Sequence, residues 1–175
     1  SGVAETEDTG AAWSPDGEQI LFVSNRGGLH QLWRMNLSNG EVTRLPTPHP
    51  SAYPAWSPNG KYIAYSGDSD GDGWLEVWLM EVADGSTRRL SNSHGFQNVD
   101  HYVRSWSPAG HGINFTGVHF IQYQGEWYWT YSEQLFYYSF YDSDSTFREG
   151  STDWFLQWQT TDVTPPTVAF RPPFP

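Results

Sequence analysis

The chain of 175 residues is long enough for one domain of ordinary size, and its net charge of −11 excludes the basic surface that nucleic-acid binding requires. Aromatic residues make up 17% of the sequence, which favours half-buried β-strands over helical bundles or disorder, and the absence of cysteine excludes disulfides and thiolate metal sites. No apolar run reaches the roughly 20 residues that a membrane-spanning helix needs. From the charge we expect no nucleic-acid partner, and from the lack of such a run we expect no membrane insertion.

A six-residue motif occurs three times along the chain. Residues 1–10, which precede the first copy, are interpreted as an N-terminal arm. Residues 12–17 read AWSPDG, residues 55–60 read AWSPNG and residues 105–110 read SWSPAG. The tryptophans Trp13, Trp56 and Trp106 are separated by 43 and 50 residues. Internal repeats of this length are typical of β-propeller blades.

The first two copies of the motif are followed by the same order of strands and turns. In the first copy, the apolar strand Ile20–Val23 is followed by the alternating strand Gln31–Leu37 and the hairpin dipeptide Asn39-Gly40. The second copy repeats this order over residues 62–90, with Asp84-Gly85 at the hairpin. The sequence therefore predicts four-stranded antiparallel blades at 11–53 and 54–103.

The third copy, at 104–153, keeps the order but contains an insertion at 122–132 that lengthens the hairpin between its second and third strands. Residues 154–175 are interpreted as part of a fourth blade, beginning near Trp158, and an extended tail rich in proline. Closed propellers have about 4–8 blades, so three blades and a fraction predict an incomplete propeller.

These repeats resemble the TolB family of β-propeller repeats, which are related in shape to tryptophan–aspartate repeats. The resemblance rests on residues 13–17 (WSPDG), residues 24–27 (SNRG) and Arg44-Leu45, and it covers about residues 11–150. It implies an all-β fold of propeller blades. It does not imply an activity, because one fold hosts many functions.

The sharpest chemical feature is an acidic loop between two strands of the second blade. Asp68, Asp70 and Asp72 alternate ahead of a glycine at the sixth position, as at the start of a calcium-binding loop, and Glu76 falls at the ninth. Leu79 stands at the twelfth position, where an EF-hand needs a bidentate Glu, so calcium would require another ligand. The alternative interpretation is a solvated acidic hairpin turn.

A second candidate site follows from the resemblance. Some TolB-like propellers are lyases that hold a metal with histidines at one rim of the channel. His49 and His94 each lie four residues after the repeat leucine, and Asp153 is the equivalent position in the third blade. Together with His101, these side chains suit Mn or Zn. The alternative is that they are ordinary loop residues.

The insertion carries Trp127, Tyr128, Trp129 and Tyr131. If these rings are exposed, they form a platform for stacking on sugars or for docking a protein. If they are not, they extend the hairpin and pack on their own blade.

The leading functional interpretation is a non-catalytic module, exported to the periplasm or the cell exterior, that binds a protein or a glycan or associates with itself. The chain has no cysteine that could act as a catalytic nucleophile. The first alternative is a fragment of a metal-dependent propeller enzyme such as a polysaccharide lyase. The second is a subunit of an extracellular fibre, in which neighbouring chains complete the propeller.

Overall fold

The computed structural model describes residues 6–91, 99–123, 126–139 and 148–150, and side chains are described for residues 6–91 and 99–118. The strands form three four-stranded antiparallel sheets, each a meander in chain order. Blade 1 contains β1 (Asp8–Trp13), β2 (Gln19–Ser24), β3 (Gln31–Asn36) and β4 (Val42–Arg44). Blade 2 contains β5 (Ser51–Trp56), β6 (Tyr62–Gly67), β7 (Glu76–Glu81) and β8 (Thr87–Arg89). Blade 3 contains β9 (Val99–Trp106), β10 (Gly112–Tyr123), β11 (Glu126–Ser139) and β12 (Arg148–Gly150).

The repeated motif forms the turn between the first and second strands of each blade. In blade 1 the hydroxyl of Ser14 accepts a hydrogen bond from the backbone N–H of Gln19 at 2.9 Å, which closes the turn. Gly17 has a φ of +73°, a left-handed conformation that favours glycine. Ser57 makes the equivalent bond to the N–H of Tyr62 in blade 2. The motif is therefore explained by local turn chemistry, and the first strand of each blade ends at the repeat tryptophan.

Blade 2 buries both of its faces because strand residues alternate between its two neighbours. Ile63 and Tyr65 of β6 pack toward blade 1, whereas Ala64 between them packs toward blade 3. The cluster between blades 1 and 2 contains Leu21, Val23, Leu32, Leu45, Ile63, Tyr65 and Met80. The cluster between blades 2 and 3 contains Ala64, Val77, Leu79, Leu90, Val103, Trp106, Ile113 and Phe115. The hydrophobic core thus lies between the sheets.

The third blade has a much longer hairpin than the other two. β10 and β11 contain 12 and 14 residues, whereas β2, β3, β6 and β7 contain six each. The insertion predicted at 122–132 lies within this longer hairpin.

The all-β prediction with four-stranded antiparallel blades is also confirmed. The inner strands begin at Asp8, Ser51 and Val99, a few residues ahead of the boundaries expected at 11, 54 and 104. Trp158 and the tail lie outside the described residues. In the described part of the chain, no helix has the length and apolar character needed to cross a bilayer.

Candidate functional site

The acidic loop between β6 and β7 is held by its own carboxylates. Asp68 accepts hydrogen bonds from the backbone N–H groups of Gly71 at 2.8 Å and Gly73 at 3.1 Å, and Asp72 accepts one from Trp74 at 2.9 Å. Such bonds are typical turn chemistry for aspartate. They also bring Asp68, Asp70 and Asp72 together, with one oxygen from each carboxylate within 4.8 Å of the others. The arrangement offers three oxygen ligands to a metal ion.

Glu76, the fourth calcium ligand predicted from the sequence, lies outside this group of carboxylates. It is fully buried at the start of β7, where one oxygen accepts a hydrogen bond from the Ser69 hydroxyl at 3.1 Å and the other lies 3.4 Å from the Arg89 guanidinium. Gln31 occupies the same register position in blade 1 and pairs with Arg44 at 3.2 Å. Glu76 therefore anchors the acidic loop to the blade in this structure.

Asp100 lies beside the acidic loop and was missed by the sequence analysis. Its carboxylate accepts hydrogen bonds from the backbone N–H of Leu75 at 2.7 Å and from the Tyr102 hydroxyl at 2.9 Å. Burial raises the pKa of Asp100, and the negative charges of Asp68 and Asp72 raise it further. Asp100 is 28 residues from this loop along the chain and reaches it only because blades 2 and 3 pack together. No local sequence pattern therefore predicts its position.

The inner strands of blades 2 and 3 carry a pair of tyrosines. The rings of Tyr53 and Tyr102 meet edge to face, with centroids 4.9 Å apart. Tyr53 is 45% exposed, and its φ of +51° is unusual for a residue with a Cβ. In blade 1 the same position, three residues before the repeat tryptophan, is Gly10 with a φ of +61°. The exposed guanidinium of Arg104 lies 5.8 Å from the centre of the Tyr102 ring.

The structure places the described members of the predicted rim site inside the protein. His49 is 7% exposed, and its ring packs 4.6 Å from that of Trp78. Gly67 leaves room for this ring, since a Cβ at that position would collide with it. His101 is also buried, with Nδ1 3.0 Å from the Ser91 hydroxyl. His94 and Asp153 lie outside the described residues, so the metal site at the rim stays a prediction.

The aromatic insertion forms a two-stranded ribbon, which consists of Phe120–Tyr123 of β10 paired with Glu126–Trp129 of β11. Pairing of β10 with β9 stops at His119, and β12 pairs with β11 only from Leu135 to Tyr137. Trp127, Tyr128 and Trp129 are in the ribbon, and Tyr131 lies at an irregularity of register at its base. Among the described strands, none pairs with the ribbon on either side.

The repeats of this chain are similar to those of known proteins. The family described as "TolB beta propeller domain" matches residues 3–119. The "Tol-Pal system protein TolB" of Francisella tularensis subsp. mediasiatica is 36% identical over 75 residues, which are 43% of this chain and 16% of that protein. The "Uncharacterized peptidase YuxL" of Bacillus subtilis is 39% identical over 111 residues, covering 62% of this chain and 15% of the relative.

A solved structure agrees in fold. The crystal structure of TolB from Acinetobacter baumannii superposes with a TM-score of 0.65 at 21% identity, over 84% of this chain and 33% of the TolB chain. The chain therefore spans about a sixth of these two relatives and a third of the matched structure. At this identity the likeness shows the fold alone.

Proposed function

The chain belongs to the TolB β-propeller domain family, and from that premise we propose that it is a non-catalytic module for protein or glycan binding in an exported assembly. Its relatives include both a Tol-Pal system protein and a protein named as a peptidase, so family membership leaves the role open. The similarity to TolB supports a periplasmic or extracellular location. The proposal is carried by a feature that this chain adds to the repeat.

The observation that carries the proposal is the aromatic ribbon of blade 3. Isolated two-stranded ribbons are marginally stable in water, because each strand has a partner on one edge only. Trp127, Tyr128 and Trp129 nevertheless occupy three of the four paired positions of its second strand. Tryptophan and tyrosine are enriched at protein interfaces and stack on sugar rings. A partner that covers the ribbon would account for its aromatic composition and for its unpaired strand edges among the described strands.

The net charge narrows the class of partner. With 20 acidic and 9 basic residues, the chain repels polyanions at long range and attracts basic surfaces, whereas neutral surfaces are neither attracted nor repelled by its charge. The negative charge of the chain is compatible with a protein partner that has a basic or apolar surface, or with a neutral glycan, whereas it repels nucleic acid.

The test compares the unmodified chain with a variant carrying Trp127→Ser and Trp129→Ser. Both are immobilised and exposed to soluble peptidoglycan fragments, neutral oligosaccharides and purified candidate proteins recovered by cross-linking. We expect one ligand to bind the unmodified chain and to lose at least about tenfold in affinity with the variant, as for loss of interface hot spots. Leu29→Ser, which removes an apolar side chain that is 57% exposed in blade 1, is the matched control. Equal binding by the ribbon variant would contradict the proposal.

A second proposed property is binding of calcium by Asp68, Asp70 and Asp72. The clustering of three carboxylates supports it, because calcium prefers six to eight oxygen ligands and accepts flexible geometry. The remaining ligands would be backbone carbonyls and water. The carboxylates also hold the turn without an ion, so the calcium titration described in the Discussion decides between the two roles.

The alternative function is that of a propeller segment within an enzyme. The similarity to a protein named as a peptidase favours this class. For a metal-dependent lyase, the burial of His49 means that its ring would have to leave its contact with Trp78 to reach a metal. Cleavage of acidic polysaccharides by the chain in the presence of Mn²⁺, followed by ultraviolet absorbance of unsaturated products, would favour the lyase over the binding module.

A further inference from the structure

A cleft of about 290 Å³ lies between blades 1 and 2, where the motif turn of one blade adjoins that of the other. We propose that this cleft binds one neutral pyranose ring, either a free monosaccharide or the end residue of a glycan. It is lined by residues of blades 1 and 2, whereas the aromatic ribbon belongs to blade 3. The inference therefore goes beyond the binding proposed for the ribbon and does not depend on it.

The position directly after the motif turn distinguishes the two blade interfaces. Gln19 in blade 1 and Tyr62 in blade 2 are equivalent, because each donates its backbone N–H to the serine hydroxyl of its own turn. Tyr62 packs against the hydrophobic cluster between blades 2 and 3. Gln19, which is smaller and polar, lines the cleft between blades 1 and 2. An aromatic ring thus contributes to one interface at the position where an amide side chain lines a cleft in the other.

The repeat tryptophans of the two interfaces differ in the same sense. The indole N–H of Trp106 donates a hydrogen bond to the Ala55 carbonyl of blade 2 at 3.0 Å. Trp56, its counterpart in blade 2, is half-buried and lines the cleft. The Nε1 atom of Trp56 is itself buried and has no acceptor among the described residues. Because a buried donor without a partner is costly, an acceptor supplied by a ligand in the cleft would be stabilising here.

The two motif turns present complementary polar groups to the cleft. Asn59 uses Oδ1 to accept hydrogen bonds from the Ser57 hydroxyl at 2.8 Å and the Lys61 N–H at 3.0 Å, which leaves its Nδ2 group as a donor. Asp16 accepts the corresponding bonds of its own turn through Oδ1, which leaves Oδ2 as an acceptor. The amide of Gln19 both donates and accepts. The cleft therefore offers acceptors from blade 1 and donors from blade 2.

This combination matches a neutral sugar better than a charged ligand. Hydroxyl groups donate and accept, and the C–H faces of a pyranose suit the apolar walls formed by Pro15, Pro58 and the Trp56 ring. Of the described residues that line the cleft, only Asp16 carries a charge, so an acidic sugar would be repelled by it and by the net charge of −11. Pockets for drug-sized ligands measure roughly 300–1,000 Å³, so a cleft of this volume accommodates a single ring.

Two substitutions in the full chain test the cleft with residues taken from the equivalent position of the neighbouring blade. Gln19→Tyr introduces the residue that blade 2 carries as Tyr62 and should fill the cleft. Asn59→Asp introduces the residue that blade 1 carries as Asp16, so the turn keeps its Oδ1 bonds but loses the Nδ2 donor. Glu18→Tyr, at an exposed residue that does not line the cleft, is the matched control. Circular dichroism and urea unfolding establish that each variant is folded.

Binding is measured by saturation-transfer NMR with glucose, galactose, mannose and N-acetylglucosamine, and with a tetrasaccharide built from each. We expect at least one sugar to bind the natural chain with a dissociation constant of about 1–10 mM, which is ordinary for a ligand of about a dozen heavy atoms. Gln19→Tyr should abolish this binding, Asn59→Asp should weaken it at least about threefold through loss of a hydrogen bond, and Glu18→Tyr should retain it. Binding of the tetrasaccharide identifies the end of a glycan as the ligand, and binding of the monosaccharide alone identifies a free sugar.

The proposal is overturned if the natural chain transfers no saturation to any of the sugars, or if folded Gln19→Tyr binds them as the natural chain does. Should Gln19→Tyr not fold, full affinity in Asn59→Asp has the same meaning. A lysine-containing tripeptide is the competing ligand, because its ammonium group would pair with Asp16. If the tripeptide binds more tightly than every sugar and gains affinity in Asn59→Asp, the cleft is a cation site and the proposal is wrong.

The ribbon variant with Trp127→Ser and Trp129→Ser separates this site from the one proposed above. It should bind the sugar with the affinity of the natural chain, whether or not the ribbon has a partner of its own. Loss of sugar binding in this variant would assign the sugar to the ribbon and overturn the proposal for the cleft.

Discussion

Replacement of Tyr53 tests whether this residue is held against its own backbone preference. Its φ of +51° lies in the left-handed region, which costs a residue with a Cβ roughly 1–2 kcal/mol relative to glycine. Gly10, at the same position of blade 1, has a similar φ of +61°. We therefore expect Tyr53→Gly to be more stable than Tyr53→Ala, although both variants lose the same aromatic ring.

The magnitude follows from two opposing terms. The left-handed backbone favours glycine over alanine by about 1–2 kcal/mol. The greater freedom of glycine in the unfolded chain opposes this by about 0.5–1 kcal/mol. The net expectation is that the free energy of unfolding of Tyr53→Gly exceeds that of Tyr53→Ala by up to about 1.5 kcal/mol. Tyr53→Ala should itself lose about 0.5–1.5 kcal/mol for the edge-to-face pair with Tyr102.

The matched control is the other ring of the pair. Tyr102 has no positive φ, so Tyr102→Gly should be less stable than Tyr102→Ala by about 0.5–1 kcal/mol. Gly10→Ala is the converse change. A Cβ there would meet Pro54 at 3.6 Å and Val23 at 3.7 Å, which are ordinary contacts, so its cost should be that of the backbone alone.

Urea unfolding followed by circular dichroism gives the free energy of unfolding of each variant from its midpoint and slope. The reasoning is refuted if alanine exceeds glycine at both Tyr53 and Tyr102, because the folded backbone at Tyr53 would then impose no left-handed constraint. If glycine is the more stable variant at Tyr53 and alanine the more stable variant at Tyr102, then Tyr53 adopts a left-handed backbone conformation at a cost that glycine would remove. Residues held in this way are concentrated at functional sites.

Three further predictions concern the acidic end of blade 2. Because Gln31 fills the equivalent place in blade 1, Glu76→Gln should stay within about 1 kcal/mol of the natural chain in urea unfolding. Glu76→Leu should lose about 1–3 kcal/mol, because it removes the hydrogen bonds of a charged carboxylate with Ser69 and Arg89. Calorimetric titration with Ca²⁺ should release heat that Asp70→Asn abolishes and Asp84→Asn, in a hairpin turn of the same blade, retains; an absence of heat from the natural chain would refute calcium binding. Burial raises the pKa of Asp100 in the folded state, so the folded state binds the proton more tightly than the unfolded state does. The protonated carboxyl group therefore contributes stability, which is fully present below the unfolded pKa of about 3.9. This contribution is lost as the pH rises through the folded pKa. The stability of Asp100→Asn relative to the natural chain should therefore increase from pH 3.5 to 7, and a difference independent of pH would contradict this assignment.

The acidic loop shows how far a local sequence pattern predicts the structure. The spacing of Asp68, Asp70 and Asp72 predicted a cluster of carboxylates, because a short turn brings alternate residues together without help from the rest of the chain. The same spacing also predicted Glu76 as a ligand, yet this residue lies within the regular strand β7, and pairing with Arg89 buries its carboxylate. The position of Glu76 is set by the pairing of β7 with its neighbouring strands and not by the geometry of a calcium-binding loop.

The sequence by itself determined the blades, because everything that defines one blade is local: the serine–proline turn, the alternation of its strands and the glycine of its hairpins. It also determined the extended hairpin of blade 3 by the number of inserted residues. Only the tertiary structure decided which copies of one motif are covered. Trp13 and Trp106 are both followed by Ser-Pro, but Trp13 is exposed and Trp106 is buried, since burial depends on whether another blade covers the residue. For the same reason Asp100 and Tyr53 could not be recognised in advance. Asp100 lies in blade 3 and the acidic loop in blade 2, whereas Tyr53 lies in blade 2 and its partner ring in blade 3. Packing between the two blades brings each pair together.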